Sequence, residues 1–368
     1  MFSRVISAAV YGIDAYIVNV ETDVGFGLPT FDMSGALGSK VREAKDRVRV
    51  AIKNSGIELT PQKIVINISP ANIRKEGTIY DLPIAIGILA ANGCFDLKIL
   101  ENVLIIGEVS LDGSINPVKG VLPMVCAAKE AGIDNCIIPK ANIAEGRIIN
   151  NINIYGVETL SQTIEILKNI AVIDGSRKNI KQADVKSGEC NKSDGNINND
   201  TYNVLEHSRV KFTYGSEVKN NNHSCSYNID YSDISGQEAA KRATMIAVSG
   251  MHNIMYIGPP GSGKTMLAQR IPTIMPDMDY EEQLRLTKIY SVAGLLDSEG
   301  GIMVKRPFRN PHHTITQAAL LGGGAVPRPG EITLSEGGVL FLDEMTEFNQ
   351  VIMEALRQPL EDKVITLV

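Results

Sequence analysis

The chain has 368 residues, of which 44% are hydrophobic and 21% charged, and a formal net charge of −6. That length allows two domains with a core each. The mild acidity excludes a molecule drawn as a whole onto nucleic acid or anionic lipid, so any such contact needs a local patch.

The first residues, MFSRVISAAVYGID, have a brief apolar run that meets Asp14 early, unlike a signal peptide. Ala15–Glu21 alternates in period two and predicts a strand, as does Lys63–Ser69, with Val65 facing away from Ile64 and Ile66. Between them Val41, Ala44, Val48, Ala51 and Ile52 recur at helical spacing over Ser39–Asn54, with Ser55-Gly56 as a stop. On this helix Arg42, Lys45 and Arg49 share one face, read first as solvated and second as a DNA contact. Leu82–Asn92 predicts a helix with Pro83 in its first turn and Gly93 after its end. Its apolar run, Leu82 to Ala91, is about half of a bilayer span. A strand (Val103–Gly107), a turn at Asp112-Gly113, a helix (Leu122–Ala131) and a strand (Cys136–Pro139) follow.

Residues 174–230 are crowded with Asn, Ser, Lys, Asp and Gly and have no sustained periodicity. So little apolar area cannot offset chain entropy, and the stretch reads as a flexible linker. The five cysteines form no CxxC pair and have no histidine at zinc spacing, which suits free thiols in a reducing cytosol. With no membrane span, the expected location is cytoplasmic.

Globular patterning returns at Tyr231. The short apolar run Ile254–Ile257 precedes GPPGSGKT and a helical pattern, the context of a phosphate-binding P-loop. Gly258, Gly261 and Gly263 allow the tight turn, Pro259, Pro260 and Ser262 complete it, and Met266 opens the helix. Lys264 would bridge the β- and γ-phosphates of ATP, and Thr265 would place its hydroxyl on Mg²⁺. Further on, Val339 to Leu342 read as a strand buried on both faces of a parallel sheet, ending in two acids. Asp343 would hold the metal and Glu344 would polarise an attacking water, which favours hydrolysis over passive binding.

The stretches DISGQEAAKRATMIAVSG, RPFRNPHH at 306–313, LLGGGAVPRPGEITLSEGGVLFLDEM at 320–345 and MEALRQPLED at 353–362 resemble AAA+ ATPases of the magnesium-chelatase-like branch. With the N-terminal part they look like the YifB/ComM family. The resemblance implies that Ile234 and Gln237 lie near adenine and that Gly322–Gly330 faces the pore of a hexameric ring with ATP sites between subunits. It implies a DNA helicase or branch-migration motor; the alternative is a protein remodeller or a magnesium-chelatase-type motor subunit. In RPFRNPHH, His312 and His313 are expected to point apart rather than share an ion, with Arg306 and Arg309 near DNA or a neighbouring subunit.

INISPANIRKEGTIYDLPIAIGILAANG and GEVSLDGSINPVKGVLPMVCAAKEAGIDNCIIPKAN resemble the proteolytic domain of Lon proteases. A serine–lysine pair would be needed there. The serine segment is replaced by GTIYD at 77–81, Leu122 stands at the lysine position, and Lys119 has no serine partner, so peptidase activity is not expected. The expected fold is thus α/β and α+β. Residues 1–173 form a Lon-protease-like (ribosomal-protein-like) domain without protease residues, 174–230 the linker, and 231–368 a P-loop AAA+ core with a parallel sheet. That core is expected to be incomplete at its C-terminus, since no sensor, arginine finger or lid is located before Val368; Arg357 is a weak candidate finger.

Overall fold

The computed structural model describes residues 1–170, 229–296, 301–324, 327–362 and 364. Most of the expected linker, and most of the final VITLV run, lie outside the described residues. Two compact units are present, built mainly from residues 1–170 and from residues 229–364.

In the first unit a seven-stranded mixed sheet runs in the order β3-β4-β2-β1-β5-β8-β9. Its strands are β1 (Phe2–Tyr11), β2 (Asp14–Gly25), β3 (Phe31–Ser34), β4 (Lys63–Ser69), β5 (Val103–Ile105), β8 (Asn135–Pro139) and β9 (Asn153–Val157). Parallel pairing joins β3 to β4 and β1, β5, β8 and β9 in turn, while β2 meets β4 antiparallel from Asn19↔Ser69 to Gly25↔Lys63. A two-stranded hairpin, β6 (Glu108–Val109) with β7 (Ile115–Asn116), stands apart from that sheet. The alternation in β4 is as the sequence implies: Ile64, Ile66 and Ile68 are buried and the residues between them are not.

The expected helix over 39–54 is divided. α1 (Ser39–Arg42) and α2 (Ala44–Asn54) meet at Glu43, where Asp46 N–H bonds back only three residues, to Glu43 C=O, and tightens the turn. α3 (Asp81–Ala91) has all eleven residues buried, so it is a core helix without a wet face. Gly87 lets it lie on β2: a Cβ there would come within 2.6 Å of Thr22 Oγ1. α4 (Val121–Glu130), α5 (Ile143–Gly146) and α6 (160–170) complete the unit. Its main core joins β-strand residues such as Val18, Ile66 and Ile105 to Val48 and Ile52 of α2, Ile84 and Ile88 of α3, and Leu167 of α6.

The second unit holds α7 (Glu238–Ser249), α8 (Lys264–Gln269), α9 (Tyr280–Ala293), α10 (Gln317–Leu321), α11 (Glu331–Leu334), α12 (Gln350–Ala355) and α13 (Arg357–Asp362). Its strands are short. β10 (Phe308–Arg309) pairs parallel with β13 (Val339–Leu340), and β11 (Gly322–Gly323) pairs antiparallel with β12 (Arg328–Pro329). Two strand expectations need correction. Ile254–Ile257 is in no ladder among the described residues, and Met255 and Ile257 are 67% and 87% exposed. The run Val339–Leu342 is strand only at its first two residues and is half-buried throughout. Burial of both faces needs layers packed on both sides of a sheet, and among the described residues β13 belongs to a two-stranded sheet with β10.

Candidate functional site

The P-loop is a turn whose shape depends on its glycines. Gly261 and Gly263 have φ of +76° and +86°, the left-handed region that a side chain disfavours. Gly263 is also the residue from which α8 starts, and its carbonyl accepts from Leu267 N–H. α8 spans six residues, so its macrodipole is small and the loop's own N–H groups matter more for binding an anion.

Lys264 folds back over this loop. Its Nζ donates to the carbonyls of Gly258 and Pro259, each at 2.9 Å, which places the ammonium within the curve of the loop. Thr265, one residue on, donates its hydroxyl to Asp343 Oδ2 at 3.0 Å across 78 residues of sequence. The end of the 339–342 run is held for this meeting by Val339 N–H to Pro307 C=O and Phe341 N–H to Arg309 C=O. Glu344 is exposed and has φ +51° and ψ +50°, a conformation that costs a non-glycine residue about 1–3 kcal/mol. Its N–H donates to Asp343 Oδ1 at 3.1 Å. A hydroxyl and a carboxylate in contact form a hard-oxygen donor pair, which suits Mg²⁺ in chemistry and charge. The remaining ligands of such an ion are usually water and substrate phosphate.

Ile234 lies in a small core with Tyr231 and Leu267 of α8, with Ala240, Tyr256 and Ile274 packed on it. It is therefore beside the loop's helix yet nearly enclosed. Gln237 is exposed, in left-handed conformation, at the start of α7, and Met266 is exposed on α8. Sequence reasoning missed Arg270, which donates to Asp230 C=O at 3.0 Å and pairs with Asp233 at 3.6 Å, tying the segment before α7 to the P-loop helix. The acids flanking Tyr231 were the available signal. It also missed the bond of 2.7 Å between the Thr244 and Tyr256 hydroxyls, which anchors α7 to the approach of the P-loop.

The RPFRNPHH stretch departs from expectation. Arg306 is buried, and it donates to Pro276 and Gly337 carbonyls and pairs with Glu282. Arg309 makes a two-pronged pair with Glu331 at 2.6 and 2.7 Å, and that carboxylate raises its pKa. Both guanidiniums hold the unit together instead of reaching outward, because carbonyls and carboxylates of the same unit lie within reach. The His312 and His313 rings do not point apart; their centroids are 4.0 Å from each other, with His313 edge-on to Phe348. No group of three or more metal-ligating side chains occurs among the described residues. Arg357 is exposed and pairs with Glu361, one turn along its own helix.

At the positions where a Lon-type protease would carry its serine segment, Thr78 hydrogen-bonds Glu108, and Tyr80 and Asp81 are buried. Leu122 is fully buried. No helix among the described residues is long and apolar enough to cross a membrane.

Comparison with known proteins adds lineage. The family described as magnesium chelatase, subunit ChlI, matches residues 230–368, and a second, subunit ChlI of Mg-chelatase, matches residues 20–142. The chain is 36% identical to competence protein ComM of Haemophilus influenzae over 365 residues, 99% of this chain and 64% of that protein. Identity and coverage are the same for the protein YifB of Escherichia coli. An archaeal Lon protease of Thermococcus kodakarensis is 31% identical over 151 residues, 40% of this chain and 23% of that protein. The chain thus spans a little under two thirds of the length of ComM and YifB.

Proposed function

The chain belongs to the YifB/ComM family of magnesium-chelatase-like proteins, and on that premise we propose that it is a Mg²⁺-dependent AAA+ ATPase whose motor output acts on DNA. The observation that carries the ATPase half is the hydrogen bond from Thr265 to Asp343, which joins the P-loop to the acidic end of the 339–342 run. In the proposal Lys264 exchanges its two loop carbonyls for the β- and γ-phosphates, since charged oxygens outcompete neutral ones for an ammonium. Thr265 and Asp343 would hold Mg²⁺, which would neutralise developing phosphate charge. Glu344 orients the attacking water, and Ile234 and Gln237 flank the adenine.

The DNA half rests on kinship with a competence protein. It predicts that ring assembly, expected to be hexameric, supplies an arginine in trans worth about 10³–10⁵ in rate. The test is Mg²⁺-dependent phosphate release with and without forked or four-way-junction DNA. Turnover that depends on Mg²⁺ and rises with DNA supports the proposal. Turnover that rises only with a protein partner would favour the remodeller reading, and absence of nucleotide binding would overturn both. A peptidase reading finds no support: the likeness to Lon leaves isoleucine and tyrosine between Thr78 and Asp81 and a core leucine at 122.

A further inference from the structure

The outer side of α1 and α2 carries a line of cations that the fold leaves unused. Arg42, Lys45, Arg49 and Lys53 are all exposed, and none has an ion pair or side-chain hydrogen bond among the described residues. At 3.6 residues per turn Lys45, Arg49 and Lys53 of α2 fall within an arc of about 80°, next to the buried stripe of Val48 and Ile52, and Arg42 ends α1 just before them. The three on α2 extend over about 12 Å of helix axis at 1.5 Å per residue. The neighbouring cation shows the contrast. Arg47 turns inward, and its guanidinium grips the buried Asp81 carboxylate at 2.8 and 2.9 Å. Of the two acids of the stretch, Asp46 sits at the margin of the arc and Glu43 lies well outside it, facing Arg47 at 3.8 Å.

We infer that this line is a contact for the phosphate backbone of nucleic acid. A row of cations about one helical turn apart matches a linear polyanion, whose phosphates repeat every ~3.4 Å along each strand. Binding there is to backbone charge, so it is insensitive to base sequence. An anionic lipid surface would instead call for large apolar side chains beside the cations. Within the arc there are none, and the partly exposed Val50 lies on its far flank. In a chain of net charge −6 such a strip supplies the local field that the whole molecule lacks. The inference deepens the DNA reading of the proposed function and rests on it.

The experiment is fluorescence anisotropy of a short labelled duplex titrated with the whole chain, without nucleotide, over a series of salt concentrations. It compares the wild type, the quadruple variant R42Q/K45Q/R49Q/K53Q and a charge-preserving variant R42K/K45R/R49K/K53R. Circular dichroism melting confirms that each is folded. The expected result is affinity at least about tenfold weaker and a log–log salt slope shallower by about 3–4 in the quadruple variant. The charge-preserving variant should bind as wild type does. Wild-type binding with an unchanged quadruple variant would overturn this site while leaving the motor reading intact. No duplex binding by the wild type even at low salt would overturn the site and the DNA reading together. Loss of binding to phosphatidylserine vesicles, with duplex binding unaffected, would overturn it in favour of a membrane contact.

Discussion

Thr265 and Asp343 each make sense only through the other. Alone, a P-loop threonine and an acid after an apolar run are two local patterns; the 3.0 Å bond between them makes a donor pair for a divalent cation. Glu344 then has a separable duty, because it neither caps the loop nor pairs with a cation among the described residues. Glu344→Gln should leave ATP affinity near wild type and slow hydrolysis by about 10²–10⁴. Equilibrium binding of a fluorescent ATP analogue beside steady-state phosphate release checks this, and equal losses in both would refute the assignment. Lys75 raises a different question at the same scale. Its side chain is fully buried, its Nζ has no hydrogen-bond partner, and burial lowers its pKa from 10.5. An unpaired buried polar group costs about 1–3 kcal/mol, so Lys75→Met should stabilise the fold by about that much at neutral pH. The sign with pH follows from the depressed pKa. Below it the buried ammonium carries its full penalty, and as pH rises through it towards 10.5 the neutral amine relieves that penalty. Denaturant unfolding at neutral pH and near pH 10 should therefore show the advantage of the variant shrinking.

At the scale of elements, α2 and α3 are linked by one buried ion pair. Asp81 is fully buried at the start of α3, and burial pushes its pKa up while Arg47 pulls it back down. Arg47→Met removes the counter-charge and leaves the carboxylate behind, a loss of about 3–5 kcal/mol at pH 7. That deficit should narrow as pH falls into the carboxylate range, because a protonated Asp81 no longer needs the guanidinium. Urea unfolding at pH 7 and pH 4 measures it; a deficit that grows with acid would sink the account. The same elements show what periodicity could and could not reveal. Ala44, Val48, Ala51 and Ile52 were legible as the buried stripe of a helix. The break at Glu43 was not, since glutamate is a good helix former and only the bonding pattern divides the helix. β1 was also missed, because Ala8 and Ala9 are buried side by side and blur the alternation.

At the scale of the molecule, the main core of the first unit draws every buried residue from positions 5–170. A fragment of residues 1–170 should accordingly unfold in a single cooperative transition, visible by circular dichroism and calorimetry. A non-cooperative, broad loss of signal would show that this unit depends on the rest of the chain.

Local chemistry was decided by the sequence alone. Glycines at 261 and 263 permit left-handed turns wherever they occur, a lysine and a threonine next to them define a phosphate loop, and alternating isoleucines in 63–69 define a half-buried strand. Those properties act within a few residues, so spacing carries them. Tertiary structure decided which long side chains were free. Arg306, Arg309 and Arg47 look no different in sequence from Arg42 and Arg49, yet the first three are consumed by Glu282, Glu331 and Asp81, and the last two face solvent. A guanidinium on a flexible stem takes the nearest carboxylate, and which carboxylate is nearest depends on residues brought together from 22 to 34 positions away.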